Sequence, residues 1–191
     1  MTTTENKRCV GGAFIKAVGA DRPRFPRYFS ADESTWIDVA VAADRPEPGW
    51  STCSTMNLHG IPNVLNGYDI RAELIGVCAS SVGWFPDLLA TAAFCVKDSG
   101  WVAAPGHVFP GIVGKYYGLE TLPHLFLTDP FEWPELGRLQ LPDGSNVHWL
   151  LAFPISDSER AYRAEKGEQA LSALFEEKGL EYFDLDRAPV I

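Results

Sequence analysis

The sequence predicts an α/β (α+β) fold in a single domain. Strand-like apolar runs occur at residues 69–79 and 147–153, and residues 85–96 between them carry apolar side chains at helical spacing. A length of 191 residues suits one compact domain, and 46% hydrophobic residues are enough to close a core without disulfide bonds. Because no repeat and no linker interrupts the pattern, we expect one continuous body of strands and helices.

The N-terminal segment differs from the rest of the chain in charge and in periodicity. Residues 1–24 show little periodicity, and we predict a basic N-terminal arm there, followed by a single domain over residues 25–191. Residues 1–30 hold six Lys and Arg against two Asp and Glu, whereas residues 31–191 hold ten against twenty-three. The net charge of −9 therefore belongs to the body of the protein.

An acidic body limits the classes of partner. Nucleic acid needs a basic footprint, so we expect no nucleic-acid binding. A basic protein partner is favoured, because complementary charges steer association. An acidic surface that serves only solubility is the alternative. No apolar run approaches the ~18–20 residues that cross a bilayer, and the N-terminus lacks the apolar stretch of a secretory signal. We therefore expect no membrane contact and a cytoplasmic protein.

Three strands are predicted in the first half of the domain. Residues 36–41 alternate imperfectly between apolar and polar side chains, residues 50–58 are rich in Thr and Ser, and residues 69–79 alternate along their length. The two prolines in residues 45–49 place a loop between the first two strands, because proline cannot donate to a ladder. One face of the third strand carries a charged residue, Glu73, before it becomes apolar, so we expect this strand to enter the core partway along.

A helix is predicted after the third strand. Pro86 suits its first turn, where a missing N–H costs nothing, and Gly100 suits its end. Its apolar stripe is more typical of a core than of a cofactor site. Residues 101–118, which follow, are punctuated by Gly and Pro, and we predict an irregular segment there. Long irregular segments in compact domains are often functional.

The last third of the chain predicts a strand and then a hairpin. Residues 122–128 form the strand, and residues 139–141 and 147–153 flank a Pro-Asp-Gly-Ser turn. The second arm of the hairpin is apolar on nearly both faces, so we expect it in the centre of the sheet.

Two helices and a short strand are predicted to complete the chain. Ser156 and Glu159 have the S-x-x-E spacing of a capping box, in which the two side chains satisfy backbone N–H groups at a helix start. Gly167 is expected to break this helix, and Gly179 to end a second one. Residues 182–187 predict a last strand.

No motif has the spacing of a catalytic or metal site. There is no G-x-S-x-G elbow, and Gly111–Lys115 lacks the spacer and the Ser or Thr of a phosphate loop. We therefore predict no catalytic residue, no metal and no cofactor. The four histidines are never paired at i, i+4 and the four cysteines form no CxxC pair, so we interpret the cysteines as free thiols: His59, His107, His124, His148, Cys9, Cys53, Cys78 and Cys95.

One enzymatic alternative stays open at the level of sequence. His107 lies in a loop, where a general base commonly sits. Asp129 and Glu132 follow the strand at residues 122–128. A hydrolase-type enzyme using His107 with Asp129 or Glu132 is the alternative, although Asp129 precedes a proline and favours a turn-forming role.

The order of these motifs resembles the suppressor of fused (SUFU-like) domain family over about residues 30–190. The segments "LFLTDP" through "PISDSE" and the final Asp186-Arg187 carry the resemblance best. It implies a mixed β-sheet flanked by helices, and binding rather than catalysis. Animal members are signalling repressors that sequester a transcription factor, whereas bacterial members are associated with polymorphic toxin systems, where they look like immunity proteins.

Two departures from the animal members favour the bacterial single-domain branch. The chain has no room for their second lobe, and it has Gly106 where they carry an acidic residue before the loop histidine. We therefore do not transfer the partner groove of the animal proteins to this chain.

The resemblance and the charge together predict a non-enzymatic protein-binding domain. We expect an immunity or antitoxin-like protein of a bacterial polymorphic toxin system, with a protein partner such as a basic toxin domain. A regulatory or scaffolding module that sequesters a protein partner is the alternative. Core packing is the alternative for each candidate aromatic. The candidate partner-binding residues lie around two irregular segments and are Trp101, His107, Phe109, Tyr116, Tyr117, Glu132 and Trp133.

Overall fold

A mixed β-sheet of eight strands forms the middle layer of the molecule, and the computed structural model describes residues 4–191. The strands are β1 (Arg27–Phe29), β2 (Trp36–Ala43), β3 (Trp50–Thr55), β4 (Val64–Leu65), β5 (Tyr68–Asp69), β6 (Ala72–Ala79), β7 (Val108–Phe109), β8 (His124–Thr128), β9 (Leu139–Gln140) and β10 (Asn146–Ile155). The sheet order is β1-β2-β3-β6-β10-β8-β7, β9 pairs with β10, and β4 and β5 form a separate hairpin. Among the described strands the β6–β10 pair is parallel and the other pairs are antiparallel.

Helices cover both faces of the sheet. They are α1 (Thr4–Val18), α2 (Phe85–Ser99), α3 (Ile112–Tyr117), α4 (Asp157–Lys166) and α5 (Glu168–Lys178). One apolar core lies under α2 and α3 and includes Leu88 and Val113. A second core lies under α1 and α5 and includes Phe14 and Phe175. The predicted α/β (α+β) class, with a mixed sheet flanked by helices, is confirmed. None of the helices within residues 4–191 is long and apolar enough to cross a membrane.

Strand β10 is central in the sheet, as its sequence predicts. It pairs with β6 on one side and with β8 on the other. Leu150 and Ala152 belong to the core under α2, whereas Leu151 and Phe153 belong to the core under α5. Because both faces are covered, every residue of the range 149–155 is buried, which explains the continuous apolar run.

The predicted start of α4 and the predicted end of α2 are confirmed. Ser156 Oγ accepts a hydrogen bond from the Glu159 N–H at 3.1 Å, and the Glu159 carboxylate accepts one from the Ser156 N–H at 2.9 Å. This is the capping box that starts α4. Gly100 ends α2 with a left-handed backbone, at a φ of 66°.

The structure corrects the interpretation of residues 1–24 as a segment with little periodicity. Most of this segment is α1, whose Val10, Phe14 and Val18 are buried in the core under α1 and α5. These residues are four apart and therefore share one helical face. Two glycines directly after Val10, which are poor helix formers, obscure the pattern in the sequence. The arm-and-domain boundary itself stays a prediction, and residues 1–3 lie outside the described part.

Residues 101–118 are more regular than predicted. They contain β7, which pairs with β8, and the short helix α3. Gly111 and Gly118 adopt positive φ values of 70° and 72° at the two ends of α3. The glycines that suggest irregularity in the sequence therefore mark where a helix begins and ends.

One strand prediction is wrong in part, and another is wrong altogether. Strand β3 ends at Thr55, and Leu58–Gly60 forms a 3₁₀ turn. Residues 182–187 contain turns and no strand. The segment predicted as a strand over residues 69–79 does enter the core partway along, since Asp69 is exposed and Ala72 is buried, but β6 itself begins only at Ala72.

Candidate functional site

A cavity of about 550 Å³ lies between the sheet, α5 and the residues that follow α5. The sheet contributes Phe126 and Phe153, and α5 contributes Phe175. The residues after α5 contribute Tyr182 and Phe183. We call this cavity the aromatic groove. Its volume lies within the range of about 300–1,000 Å³ that is usual for binding pockets.

The rings of the aromatic groove support one another. The ring centroids of Phe126 and Phe153 are 5.5 Å apart, and those of Phe153 and Phe175 are 5.9 Å apart. Phe131, from the loop after β8, meets Tyr182 edge to face at 5.4 Å. Such contacts stabilise beyond the area they bury. The walls are therefore held by mutual packing, while the Phe131 side chain stays 56% exposed at the mouth.

Glu132 lies at the edge of the aromatic groove, close to Tyr182. Burial raises the pKa of Tyr182, and the negative charge of Glu132 raises it further.

A second and more open cavity, of about 620 Å³, adjoins the aromatic groove. The two cavities share Thr128, Ser172 and Glu176, and the second adds Asp129 and Glu168. We call it the acidic cavity. Including the carboxylate at the groove edge, four carboxylates border the two cavities, and no Lys, Arg or His among the described residues lines either. Charges of one sign in a cleft concentrate ions of the opposite sign.

Gly106 lies directly against Glu168 of the acidic cavity. Its φ is 77°, and an added Cβ would collide with the Glu168 carboxyl group. Glycine is therefore required here for its backbone angle and for the close approach. Where the animal family members are expected to carry an acidic side chain, this chain has a glycine, with a carboxylate from α5 lying over it.

A buried ion pair anchors the segment that closes the aromatic groove. Arg187 donates to both carboxylate oxygens of Glu159, at 2.7 and 2.9 Å, and to the carbonyl oxygen of Pro154 at 3.0 Å. Burial raises the pKa of Glu159, but the Arg187 guanidinium and the N–H groups of Ser156 and Val190 outweigh it, so the pKa is lowered overall. The bidentate geometry ties the C-terminal residues to α4 and to β10.

The seven predicted partner-binding residues do not form one surface. Trp101, Phe109 and Tyr117 pack with the core under α2 and α3, and Trp133 packs with the core under α1 and α5. The sheet therefore separates the two groups. Trp101 and Phe109 meet edge to face at 4.9 Å, and Phe109 is buried. Glu132 is exposed and is the predicted residue that borders the aromatic groove.

The two neighbouring tyrosines of α3 differ in environment. Tyr116 is 56% exposed, with the Lys115 ammonium 4.9 Å from its ring centroid. Tyr117 stacks on Trp84 at 4.9 Å and donates a hydrogen bond to Asp87 at 3.1 Å. Burial raises the pKa of Tyr117. Tyr116 is therefore accessible to a partner, whereas Tyr117 serves packing.

His107 does not form an acid–base pair with Asp129 or Glu132. Burial together with the charge of Arg163 lowers the pKa of His107, and the opposing charge of Glu168 offsets this only in part. Asp129 lines the acidic cavity, and Glu132 lines the aromatic groove. No hydrogen bond among the described residues joins the three side chains, so the geometry offers no support for the hydrolase alternative.

A buried polar cluster that sequence reasoning missed joins β3, the 3₁₀ turn and β6. Thr55 Oγ1 and His59 Nδ1 hydrogen-bond to the Glu73 carboxylate. The backbone N–H groups of Leu58 and His59 donate to the same carboxylate at 3.2 and 3.1 Å. Glu73 is 0% and His59 2% exposed, so the cluster does not face a substrate site and stabilises the turn. Within residues 4–191, no group of three or more His, Cys, Asp or Glu is arranged to hold a metal ion.

The aromatic groove was also missed by sequence reasoning. Phe126 and Phe153 lie in predicted strands, and Phe175 lies on a predicted helix. The one local signal is the Tyr182-Phe183 pair shortly after the helix-ending Gly179. Two aromatic residues at that distance from a helix end are positioned to pack against its last turn.

The chain belongs to the suppressor of fused family. The model of the family described as Suppressor of fused protein (SUFU) matches residues 33–188, which confirms the resemblance seen in the sequence. The chain is 31% identical to the immunity protein YqcF of Bacillus subtilis (strain 168), in an alignment of 193 positions that covers 100% of both chains.

Solved structures of the same family share the fold. A SUFU homologue from Neisseria gonorrhoeae FA 1090 matches with a TM-score of 0.75 and 15% identity, over 99% of this chain and 98% of that one. The structure of the Sufu-Fu complex matches with a TM-score of 0.67 and 13% identity, over 99% and 93% of the two chains. Drosophila Suppressor of Fused matches with a TM-score of 0.66 and 12% identity, and this chain corresponds to 51% of its length.

Proposed function

We propose that this chain is an immunity protein, which binds a toxin protein and neutralises it without catalysing a reaction. The observation that carries the proposal is the 31% identity to the immunity protein YqcF across the full length of both chains. Membership of a family with a member in the Sufu-Fu complex supports a protein as the partner.

The chemistry of the described side chains supports binding over catalysis. Two histidines meet carboxylates: His59 contacts Glu73 in the interior, and His124 Nε2 hydrogen-bonds to the exposed Asp157 at 2.9 Å. Neither pair lines the aromatic groove or the acidic cavity. The carboxylates that border the aromatic groove and the acidic cavity form no salt bridge with a described histidine, and Glu168 acts on His107 through its charge alone. An active site requires such groups to converge on a common substrate position.

The acidic surface supports a basic toxin as the partner. A net charge of −9 favours association with a positively charged protein and raises the rate of encounter. A cytoplasmic location fits the same proposal, because all four cysteines are free and free thiols persist in reducing compartments.

The test is a growth and binding experiment with a toxin-domain protein encoded beside this chain. That protein is expressed in a bacterial host alone, with this chain, and with an unrelated acidic protein of similar size as control. We expect growth to be restored only by this chain, and a one-to-one complex to be recovered by size-exclusion chromatography. Unchanged toxicity together with no recovered complex would overturn the proposal.

A further inference from the structure

We propose that the aromatic groove and the acidic cavity together bind one extended segment of the protein partner, in which an aromatic or aliphatic side chain is followed by Lys or Arg. The inference rests on the proposed function and adds to it the binding surface and the chemistry that this surface selects.

The aromatic groove suits the apolar side chain. Phe126, Phe153 and Phe175 form its base, and Phe131 stands exposed at its mouth. A volume of about 550 Å³ is in the range of ligand pockets and accommodates more than one side chain. Interfaces place aromatic and aliphatic anchors in pockets of this kind, where burial excludes water.

The charges beside the groove select a basic neighbour for that side chain. Asp129, Glu132, Glu168 and Glu176 form no salt bridge with any described residue. Other surface carboxylates, such as Glu47 and Glu135, also form no salt bridge with a described residue, but these four are set apart because they lie together around adjoining cavities. Four uncompensated carboxylates around adjoining cavities leave a negative potential that a Lys or Arg side chain neutralises.

The continuity of the two cavities points to an extended segment. Thr128, Ser172 and Glu176 line both cavities, so the apolar and the acidic parts share one wall. Side chains that follow one another along an extended chain reach adjoining sites of different chemistry.

The first test compares two charge reversals on the same helix. Glu176→Lys changes a residue that lines both cavities, and Glu177→Lys changes its exposed neighbour, which lines neither. We expect Glu176→Lys to weaken binding of the toxin partner by roughly threefold to tenfold, and Glu177→Lys to change it by less than about twofold. Equal effects of the two variants would overturn the proposal.

A second variant fills the aromatic groove without removing one of its walls. Ser172 is half-buried on α5 and faces both cavities, so Ser172→Trp places an indole in the space reserved for the partner. Circular dichroism and the unfolding midpoint establish that the variant is folded. We expect a folded Ser172→Trp protein to bind the toxin at least about tenfold more weakly. Unchanged affinity of the folded variant contradicts the groove as the binding site.

A peptide titration tests the groove independently of the toxin. The probes are the capped pentapeptides Lys-Phe-Lys-Leu-Lys and Glu-Phe-Glu-Leu-Glu. Binding is followed by changes in the NMR chemical shifts of the wild-type protein and of the two charge-reversal variants. We expect the basic peptide to bind at millimolar concentration, to shift signals of groove residues, and to lose these shifts in Glu176→Lys but not in Glu177→Lys. The groove proposal is overturned if the basic peptide does not bind, or if the acidic peptide binds as tightly as the basic one. In the second case the charges do not select the ligand, and an apolar small molecule is the better occupant.

The two proposals fail in distinguishable ways. If this chain rescues growth but the groove variants bind the peptide and the toxin as the wild type does, the groove is rejected as the binding site and the immunity function stands. Selective binding of the basic peptide without rescue of growth removes the immunity function and leaves the groove as a site for basic, apolar segments.

Discussion

At the scale of single residues, Gly76 shows how little space separates the sheet from α2. An ideal Cβ at this position would lie 2.6 Å from the carbonyl oxygen of Ala152 and 2.8 Å from the ring of Phe85. Both neighbours are buried and are parts of the central strand and of the first turn of α2. The absence of a side chain at Gly76 therefore allows the helix to approach the sheet.

We expect Gly76→Ala to lower the free energy of unfolding by about 1–3 kcal/mol, because an added methyl group overpacks a closed core. The measurement is urea unfolding followed by tryptophan fluorescence. Gly83→Ala is the matched control, since a Cβ at Gly83 would meet nothing within 4 Å. A similar midpoint for the two variants would mean that the core under α2 has room that the structure does not show.

The ion pair between Glu159 and Arg187 makes stability depend on pH. The pKa of Glu159 is lowered in the folded protein from its ordinary value of 4.5, so the unfolded chain binds more protons near that pH. The stabilisation is complete above about pH 4.5 and is lost as the pH falls through the folded pKa. Asp32 and Asp143, each with a pKa lowered to about 2, act in the same direction.

We expect the unfolding free energy of the wild type to fall between pH 5 and pH 3, and that of Glu159→Gln to fall less steeply over this window. Urea unfolding at intervals of pH measures the two slopes. Equal slopes for the two proteins would show that Glu159 titrates normally and that Arg187 does not hold it in the folded state.

At the scale of elements, α1 is an integral part of one core. Phe14 is 0% exposed and belongs to the same core as Trp149 of β10 and Phe175 of α5. We expect Phe14→Ala to cost about 3–5 kcal/mol of unfolding free energy, because it leaves a cavity. Lys16→Ala, on the exposed side of the same helix, should change stability by less than about 0.5 kcal/mol.

A mild effect of Phe14→Ala, comparable to that of Lys16→Ala, would contradict the packing of α1 against the sheet. It would also favour the basic arm that the sequence of residues 1–24 suggests. Differential scanning calorimetry of the two variants decides between these outcomes.

Elements whose ends are marked by capping residues, proline or glycine could be predicted from the sequence, and elements without such residues could not. Pro86 and Gly100 mark the ends of α2, and the Ser156–Glu159 capping box marks the start of α4. Helix α1 has the buried face of a helix but carries two glycines in its middle, so its local propensity conflicts with its packing. Whether such a segment forms a helix depends on its tertiary contacts, and these contacts cannot be read from the sequence.

The candidate site was less predictable than the fold. The aromatic groove is built from β8, β10, α5 and the C-terminal residues, which are distant in the sequence. Phe126 and Phe153 meet because β10 pairs with β8 in one register, Phe153 opposite Phe126. To predict the groove from sequence, one would have to know this register in advance. Glu132 could be predicted as a partner-binding residue because it needs only to lie in an exposed loop.

At the scale of the whole molecule, one sheet is shared by two cores. Residues of β2, β6, β8 and β10 alternate between the core under α2 and the core under α5, so neither core can form without the sheet. We therefore expect residues 4–191 to unfold in a single cooperative transition.

Tryptophan fluorescence and far-ultraviolet circular dichroism should give coincident urea transitions. Trp149 reports on the core under α1 and α5, and Trp84 packs against the other core. A tryptophan signal that changes at a lower urea concentration than the dichroism would show that one core opens separately, which contradicts the shared sheet.

The position of β10 also affects how the chain is made. Strand β10 follows β6 and β8 in the sequence but is inserted between them in the sheet. On the ribosome, the nascent chain therefore exposes edges of β6 and β8 until residues 146–155 have emerged. Open edges recruit other chains. A translation product that stops before residue 146 is expected to aggregate, and chaperone demand during synthesis should end when the last third of the message has been read.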